Sequence, residues 1–371
     1  MPNPPSFLAI SDVHLGLNLY NIPELGADLA RLFSEACKLA VSLHVDFLVI
    51  AGDLYESNKP TPDMIRFVRS QIEDARLGEV RVVGIAGDHD KPINTESWSR
   101  LSGVAPVDAT AQFAGHDYSD NPEDISEYIK NSPHRNTTEW IFLHGQVPTL
   151  WPFCDGRKKI DLGAFPLFEL YPNLRGVVLG DIHKPYEGKL VGPGGRSAYV
   201  GYCGSLGITA SNDIGEKIGL LHFDGKVLKR VPFSLGRDFV KVDLTSSGVA
   251  GLDLNLQIEK YKKNRGRRPV FLVEYSASTK DRLNEIRPLY QLGFVRAFQQ
   301  RKNVTPGNVQ QAVSIRSDLN NQDRITSVLA DLVPDDEVRN LIQSTLDTED
   351  PKLVLDTFRR KYLDEKPASM V

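Results

Sequence analysis

Short apolar runs that end in polar clusters constrain the fold of this chain more than any other feature. Phe7–Ile10 runs into Asp12 and His14, and Phe47–Ile50 runs into Asp53. Such runs, bounded by turn residues, are typical of buried strands. The clusters are Asp12-Val-His14, Gly52-Asp53, Gly87-Asp88-His89-Asp90, His144-Gly145 and Gly180-Asp181-Ile182-His183. Because the carboxyl ends of parallel strands meet at one edge of an open α/β sheet, we expect these clusters to converge in space.

The segments between the first runs predict helices that cover a sheet. Apolar residues fall at helical spacing from about Pro23 to Leu43, and Thr61-Pro62 is a helix start signal for a second helix that ends near Leu77. This βαβαβ order predicts a parallel sheet. After Gly180 the chain changes to short strands and tight turns, so residues 1–237 are predicted to form a mixed sheet or a two-sheet sandwich.

The remaining chain divides into three further segments. Residues 238–303 alternate strands and helices, with helices predicted over Leu254–Lys262 and Thr279–Leu292, which indicates a compact α+β domain. Residues 304–321 are polar and poorly periodic, as in a linker, and residues 322–371 carry amphipathic helical stripes. Short amphipathic helices bury little among themselves, so this segment either docks on a partner or folds back on its own domain.

Composition excludes several classes of protein. The formal net charge of −4 argues against a strongly basic surface, but not against local basic patches. No apolar run approaches the ~20 residues of a membrane span, and the first residues lack the regions of a signal peptide. The three cysteines, Cys37, Cys154 and Cys203, are widely spaced and odd in number, which predicts reduced thiols and a cytoplasmic location.

The clusters offer the side chains that a two-metal phosphoesterase site requires. Two divalent ions ~3.5–4 Å apart need a bridging carboxylate and several further oxygen and imidazole ligands. A lone Gly-Asp after a strand is more often a turn, but five clusters in this order favour a metal site. His89 is the candidate proton donor to the leaving oxygen, and Asp90 is the candidate residue that orients it. The candidate ligands are Asp12, His14, Asp53, Asp88, His144, Asp181 and His183.

The order of these motifs resembles the calcineurin-like metallophosphoesterase superfamily. The segment from Gly52 to Pro60, and the later Gly180-Asp181-Ile-His183-Lys-Pro185, resemble the SbcD nuclease family, which includes the meiotic-recombination-eleven nucleases. The resemblance implies an α/β metallophosphoesterase sandwich with a small α+β capping domain and a C-terminal helical segment. It implies a metal-dependent DNA nuclease in repair and recombination, with 3′→5′ exonuclease action on double strands and endonuclease action on single strands.

The same resemblance implies cofactors and partners. Two Mn²⁺ ions per chain are expected, with Mg²⁺ as the alternative, together with DNA, homodimerisation and an SMC-like coiled-coil ATPase of the SbcC type. No P-loop occurs in this chain, so ATP would be bound by that partner. By position, the first ion would take Asp12, His14, Asp53 and His183, with Asp53 bridging; the second would take Asp88, His144 and Asp181.

Three positions depart from the family pattern. Asp88 stands where the family usually has Asn, Asp181 where it usually has His, and Glu56 where it has His. The first two changes add hard oxygen ligands and negative charge at the second ion, which favours Mn²⁺ or Mg²⁺. They also keep open a non-catalytic or weakly active scaffold that binds DNA ends. A phosphoesterase acting on small nucleotides is the other alternative.

A basic run in the second domain is a candidate DNA contact. Lysine and arginine side chains bind phosphates and position a duplex without reading its sequence. A solvated loop is an equally good interpretation of this run. The predicted contacts are Lys262, Lys263, Arg265, Arg267 and Arg268.

Overall fold

The computed structural model describes residues 4–91, 97–148, 150, 159–162, 166–210, 213–214, 219–234, 236–245, 250–262 and 266–299. The predicted linker 304–321, the helical segment 322–371, Lys263 and Arg265 lie outside the described residues. Residues Met1–Gln299 form one compact unit. In the part of the chain that is described, no helix has the length and apolar character needed to cross a membrane.

The strands are β1 (Phe7–Ile10), β2 (Phe47–Ala51), β3 (Arg81–Ile85), β4 (Ala105–Pro106), β5 (Phe113–Gly115), β6 (Trp140–His144), β7 (Gly176–Gly180), β8 (Tyr186–Val191), β9 (Ser197–Tyr202), β10 (Gly219–Phe223), β11 (Leu228–Pro232), β12 (Phe239–Asp243), β13 (Val270–Tyr275) and β14 (Phe294–Gln299). The α-helices are α1 (Pro23–Ser42), α2 (Pro62–Leu77), α3 (Trp98–Leu101), α4 (Pro122–Asn131), α5 (Leu167–Leu170), α6 (Ala250–Lys262) and α7 (Leu289–Leu292). Short 3₁₀ helices cover Leu19–Asn21, Val107–Ala109, Pro193–Gly195 and Ala277–Ile286.

Helices α1 and α2 form where the sequence predicts them. Proline occupies the first turn of both, where its missing N–H costs nothing. The Thr61 hydroxyl caps α2 by accepting a hydrogen bond from the Met64 amide at 3.4 Å. The buried face of α1 packs with the side chains of Leu8 and Ile10 on β1. These two helices therefore cover one face of the sheet that contains β1.

Two sheets pack face to face and form the predicted sandwich. Their strand orders are β11-β10-β1-β2-β3-β4 and β5-β6-β7-β9-β8. The Phe7 ring on β1 meets the rings of Phe113, Trp140 and Phe142 from the other sheet in edge-to-face contacts of 5.7, 5.0 and 5.6 Å between centroids. Side chains of α4 and α5 pack on the outer face of the second sheet. The result is an αββα arrangement in which the two sheets share an aromatic core.

The parallel strands that precede the polar clusters end at the same edge of this sandwich. β1, β2 and β3 are parallel neighbours in one sheet, as are β6 and β7 in the other. Backbone hydrogen bonds continue past the strand ends, because the amides of Val13 and His14 both donate to the Asp53 carbonyl, at 2.9 and 3.0 Å. The Gly145 amide donates to the Gly180 carbonyl at 3.3 Å. These bonds hold the clusters in register with one another.

The segment predicted as a second domain contains a three-stranded parallel sheet, β12-β13-β14. The helix predicted over Thr279–Leu292 is wrong in detail, since a 3₁₀ helix ends at Ile286 and α7 begins at Leu289. Pro288 lies between them, and proline cannot donate the hydrogen bond that would continue a helix. Val270 and Leu272 of β13 pack with apolar side chains of the loop before α1, so this small domain rests on the larger one.

Candidate metal centre

The backbone at the strand exits adopts a conformation that is rare for residues with a side chain. Asp12, His14 and Asp53 each have φ of 51°, and Asp181 has φ of 89°. A left-handed backbone at such residues costs of order 1–3 kcal/mol and persists only where the surrounding structure enforces it. Four predicted ligands therefore sit in strained turns, which is typical of functional sites.

The first group of ligands centres on two imidazoles. The Nε2 atoms of His14 and His183 are 3.3 Å apart. Asp53 Oδ2 lies 3.7 Å from His14 Nε2, and Asp12 Oδ1 lies 4.0 Å from His183 Nε2. Each Nδ1 already has a partner, Glu56 Oε2 at 2.8 Å for His14 and a threonine hydroxyl at 2.7 Å for His183. Because both Nδ1 atoms already have partners, the two Nε2 atoms that face each other could share a proton or bind a metal ion.

The second group adjoins the first. Ligand atoms of Asp88, His144 and Asp181 all lie within 4.8 Å of one another. His144 Nε2 is 3.2 Å from Asp88 Oδ1 and 3.5 Å from Asp53 Oδ2. Its Nδ1 donates to the Ala51 carbonyl at 3.0 Å, which leaves the Nε2 lone pair for a ligand. Because Asp53 reaches imidazoles of both groups, it occupies the bridging position.

Three glycines provide the space that this arrangement needs. A Cβ atom on Gly180 would lie 2.6 Å from His144 Nδ1, and one on Gly87 would lie 2.5 Å from the Asp53 amide nitrogen. Gly52, with φ of 93°, is packed directly against the His144 ring. Any side chain at these positions would displace the ligands.

The electrostatics of the site favour bound positive charge. Burial opposes the charged form of His144, but Asp53 and Asp88 outweigh it and raise its pKa well above the usual range. Burial likewise opposes the charge on His183, yet Asp213 and Asp12 raise its pKa to about 9. Burial would raise the pKa of Asp53, but the neighbouring imidazoles lower it. Protons on these imidazoles would therefore compete with divalent ions for the same nitrogens.

The donor set fits hard or borderline divalent ions. Carboxylate and imidazole ligands suit Mn²⁺, Mg²⁺ and Zn²⁺, and thiolates are absent from the groups found among the described residues. The structure brings the seven predicted ligands together in overlapping groups of three, one of which also contains His89. The groups are Asp12, His14 and His183; His14, Asp53 and His89; Asp12, Asp53 and His144; and Asp88, His144 and Asp181. Asp12, His14, Asp53 and His183 could hold one ion, and Asp53, Asp88, His144 and Asp181 could hold the other.

His89 lies beside these groups, but Asp90 does not orient it. His89 Nδ1 is 2.9 Å from the Glu56 carbonyl oxygen, and the His89 amide donates to Asp53 Oδ1 at 3.0 Å. The fully buried Asp90 carboxylate instead accepts hydrogen bonds from the amides of Leu54, at 3.1 Å, and Gly87, at 2.7 Å. Asp90 therefore ties the third cluster to the end of β2. The orienting contact predicted for Asp90 is made by the backbone of Glu56, because Asp90 is fully engaged beneath the turn.

Three residues that contact the predicted ligands were not predicted from the sequence to belong to the site. Glu56 contacts His14, and Thr209 and Asp213 contact His183, with Thr209 Oγ1 2.7 Å and Asp213 Oδ2 3.4 Å from its Nδ1. Glu56 was visible as a departure from the family pattern, but nothing in the sequence linked it to His14. Thr209 and Asp213 lie in no motif, so only the fold reveals them.

The described part of the basic run is engaged within the protein. Lys262 pairs with Glu259 one turn earlier on α6. Arg267 pairs with Asp28 of α1, and Arg268 donates to the Gly293 carbonyl at 3.1 Å. Arg267 and Arg268 therefore have structural contacts that the sequence did not predict, and the DNA contact remains a prediction.

Parts of this chain are similar to known proteins. Residues 5–185 match the family described as calcineurin-like phosphoesterase. The chain is 38% identical over 85 residues to "DNA double-strand break repair protein Mre11" of Archaeoglobus fulgidus, an alignment that spans 23% of this chain and 19% of that protein. It is 25% identical over 291 residues to the protein of the same name from Sulfurisphaera tokodaii, which covers 71% of both chains.

Other relatives align over intermediate lengths. Mre11 of Methanosarcina mazei is 27% identical over 226 residues, or 57% of this chain and 34% of that protein. A crystal structure of a dimetal phosphatase from Danio rerio aligns with 62% of this chain and all of that chain, at 12% identity and a TM-score of 0.36. The chain therefore carries a calcineurin-like phosphoesterase domain at residues 5–185 and resembles the Mre11 and SbcD type nucleases of that superfamily.

Proposed function

We propose that this protein is a metal-dependent DNA nuclease of repair and recombination. It would act as a 3′→5′ exonuclease on double strands and as an endonuclease on single strands. The observation that carries the proposal is a set of overlapping donor groups in which Asp53 Oδ2 lies 3.7 Å from His14 Nε2 and 3.5 Å from His144 Nε2, as a bridging carboxylate of a two-metal phosphodiesterase would. The names of the archaeal relatives support DNA as the substrate.

Two Mn²⁺ ions are the proposed cofactors, with Mg²⁺ as the alternative. Asp88 and Asp181 give the second group two carboxylates beside one imidazole, which is a hard donor set. Ions held there supply Lewis acidity toward the phosphoryl group and an activated water. The carboxylates of this chain would determine where the positive charge of the ions lies relative to the substrate.

His89 is the proposed proton donor. Its Nδ1 is held by the Glu56 carbonyl, so its Nε2 is the nitrogen left for the substrate. Burial opposes protonation of His89, but Asp53 and the Glu56 carbonyl outweigh it and raise its pKa. A protonated imidazole at this place can give its proton to the oxygen that leaves phosphorus. Asp53 also accepts from the His89 amide, so the donor and the bridging carboxylate move together.

We further propose that the protein works as a homodimer with an SMC-like coiled-coil ATPase of the SbcC type. The amphipathic pattern of residues 322–371 and the lack of a nucleotide-binding motif in the sequence support a separate ATP-binding partner. Lys262, Lys263, Arg265, Arg267 and Arg268 remain the proposed DNA contacts of the small domain.

Hydrolysis of two substrates tests the proposal. Linear duplex DNA labelled at the 3′ end and a chromogenic phosphodiester would be incubated with Mn²⁺, using the wild type, Asp53→Asn, His89→Ala and the control Asp63→Asn. Asp63 is an exposed residue of α2. We expect DNA cleavage by the wild type and the control, a loss of about 10²–10⁴-fold in His89→Ala, and no activity in Asp53→Asn.

Two outcomes would favour other functions. Hydrolysis of the chromogenic ester with intact DNA would indicate a phosphoesterase for small nucleotides. Binding of DNA ends without hydrolysis of either substrate, at any Mn²⁺ concentration, would indicate a non-catalytic scaffold. Asp88 and Asp181 are the residues that would account for that scaffold.

A further inference from the structure

Two carboxylates outside the predicted ligand set contact the imidazoles of the first group. Glu56 Oε2 lies 2.8 Å from His14 Nδ1. Asp213 Oδ2 lies 3.4 Å from His183 Nδ1, and the Thr209 hydroxyl, 2.7 Å from the same nitrogen, lies 2.8 Å from Asp213 Oδ2. In both imidazoles of this group, therefore, the Nδ1 atom faces a carboxylate and the Nε2 atom faces the other imidazole.

Asp213 is held rigidly in this position. Its residue is 4% exposed, and its Oδ2 accepts hydrogen bonds from the amides of Thr209 and Ala210, both at 2.9 Å. If the carboxylate turned away from His183, the buried Thr209 amide would lose its acceptor at a cost of order 1–3 kcal/mol, and the half-buried Ala210 amide would lose the same acceptor. These two amides and the Thr209 hydroxyl thus hold the Asp213 carboxylate near the imidazole.

The side chains of His183, Thr209 and Asp213 are linked by hydrogen bonds, and the protons that each can donate determine the direction of these bonds. An ionised carboxylate only accepts, so the single hydroxyl proton of Thr209 goes to Asp213. The Thr209 oxygen can then only accept from His183, which places a proton on His183 Nδ1. His183 Nε2 is left to face His14.

Glu56 does the same for His14 without an intermediary. Because its carboxylate can only accept, His14 Nδ1 carries the proton and Nε2 faces His183. The second group is different, since His144 Nδ1 donates to the backbone carbonyl of Ala51. The imidazoles of the first group are therefore oriented by side chains, which can be substituted, and the imidazole of the second group is oriented by a backbone carbonyl.

We propose that Glu56 and Asp213, the latter acting through Thr209, are positioning residues that set the affinity of the first metal ion. Partners of this kind fix the tautomer and orientation of a ligating imidazole and increase its basicity. The inference rests on the metal-binding part of the proposed function and is independent of which phosphodiester is the substrate. It also gives Glu56, one of the departures from the family pattern, a defined role in this chain.

Titration with Mn²⁺ alone, followed by calorimetry and by the electron paramagnetic resonance signal of free Mn²⁺, tests the proposal. The full-length variants would be Glu56→Gln, Asp213→Asn and Thr209→Val, with Thr209→Ser as the conservative variant that keeps the hydroxyl. Asp243→Asn is the matched control, because Asp243 accepts from the amide and hydroxyl of Thr245 in the same way but contacts no predicted ligand.

We expect two binding steps in the wild type. One of them should weaken by about 10–100-fold in Glu56→Gln, Asp213→Asn and Thr209→Val, while the other is retained. Thr209→Ser and Asp243→Asn should bind as the wild type does. Thermal unfolding of the variants without Mn²⁺ identifies any variant that fails to fold. If Asp213→Asn is one of them, the comparison of Thr209→Val with Thr209→Ser tests the positioning role instead.

Three results would overturn the inference, and they separate it from the proposed function. Affinities within about twofold of the wild type in Glu56→Gln and Thr209→Val would remove the positioning role and leave the proposed function intact. Equal weakening of both steps would indicate general damage to the fold. A wild-type protein that binds no Mn²⁺ would overturn the inference and the proposed function together.

Discussion

Replacement of Asp28 should destabilise the protein, because Asp28 forms a buried ion pair with Arg237 and a second, more exposed pair with Arg267. Asp28 lies on α1, is 7% exposed, and pairs with Arg237, which precedes β12, and with Arg267 of the small domain. The Arg237 side chain is 6% exposed, whereas that of Arg267 is 43% exposed. Asp28→Asn keeps the shape of the side chain but leaves the buried Arg237 without its counter-ion.

The exposure of the two arginines sets the expected magnitude. Removing one partner of a buried pair costs about 3–5 kcal/mol, because the other charge stays buried and unpaired. The half-exposed Arg267 adds at most about 1 kcal/mol, since water screens its pair. The asparagine oxygen still accepts hydrogen bonds, and the Arg237 guanidinium retains a contact 5.5 Å from the Phe294 ring. We therefore expect a loss near the lower limit, about 3 kcal/mol.

Urea unfolding of Asp28→Asn and Asp63→Asn measures this difference. Asp63 pairs with Arg66 on the surface of α2, where the two side chains are 87% and 69% exposed, so its replacement should change the free energy of unfolding by less than about 0.5 kcal/mol. An earlier, separate transition in Asp28→Asn would show that the small domain detaches first. If the two variants lost the same free energy of unfolding, within about 0.5 kcal/mol, the buried pair would not stabilise the fold and this prediction would be wrong.

Three further predictions concern the site and its substrate. Gly52→Ala should weaken Mn²⁺ binding, measured by calorimetry, by at least about 10-fold, because the φ of 93° is strained for alanine and the adjacent His144 ring leaves no room for Cβ. Unchanged binding would show that the close packing of Gly52 against His144 does not position this ligand. Apparent Mn²⁺ affinity should rise with pH up to about 9, because ions displace the proton from His183, whose pKa is raised to about 9; a plateau already reached near pH 6.5 would refute this. Charge reversal at Lys262, Lys263 and Arg265 together should weaken duplex binding and reduce its salt slope by up to about 3, as filter binding at several salt concentrations would show; an unchanged slope would exclude these residues as phosphate contacts.

Local patterns predicted the elements of the larger domain well. The helical spacing from Pro23 and the Thr61-Pro62 start signal give the observed starts of α1 and α2, because their apolar faces and caps are encoded in neighbouring residues. The apolar runs before the clusters form parallel strands whose ends meet, so the sequence predicted that these side chains lie close together, while their role as metal ligands stays a prediction. The single helix predicted over Thr279–Leu292 was wrong, because the prediction did not take account of Pro288, which separates a 3₁₀ helix from α7.

Contacts made between distant segments could not be predicted in this way. Asp28 and Arg267 pair across 239 positions, so the basic run gave no sign that two of its arginines have structural partners. Thr209 contacts His183 across 26 positions, and Asp213 contacts the same imidazole, although neither residue lies in a motif. Asp90 shares a motif with His89, yet its carboxylate is buried under the turn of that motif. In each case the partner of a polar group is determined by the tertiary fold.

The central claim is that Asp53 joins two ion sites, one completed by His14 and His183 and the other by Asp88, His144 and Asp181. A crystal structure of the full-length protein soaked in Mn²⁺, with anomalous scattering recorded at the manganese edge, tests it directly. The account predicts two anomalous peaks about 3.5–4 Å apart, with Asp53 bound to both and Asp88 and Asp181 bound to one. A single peak, or two peaks that neither Asp88 nor Asp181 contacts, would contradict the account.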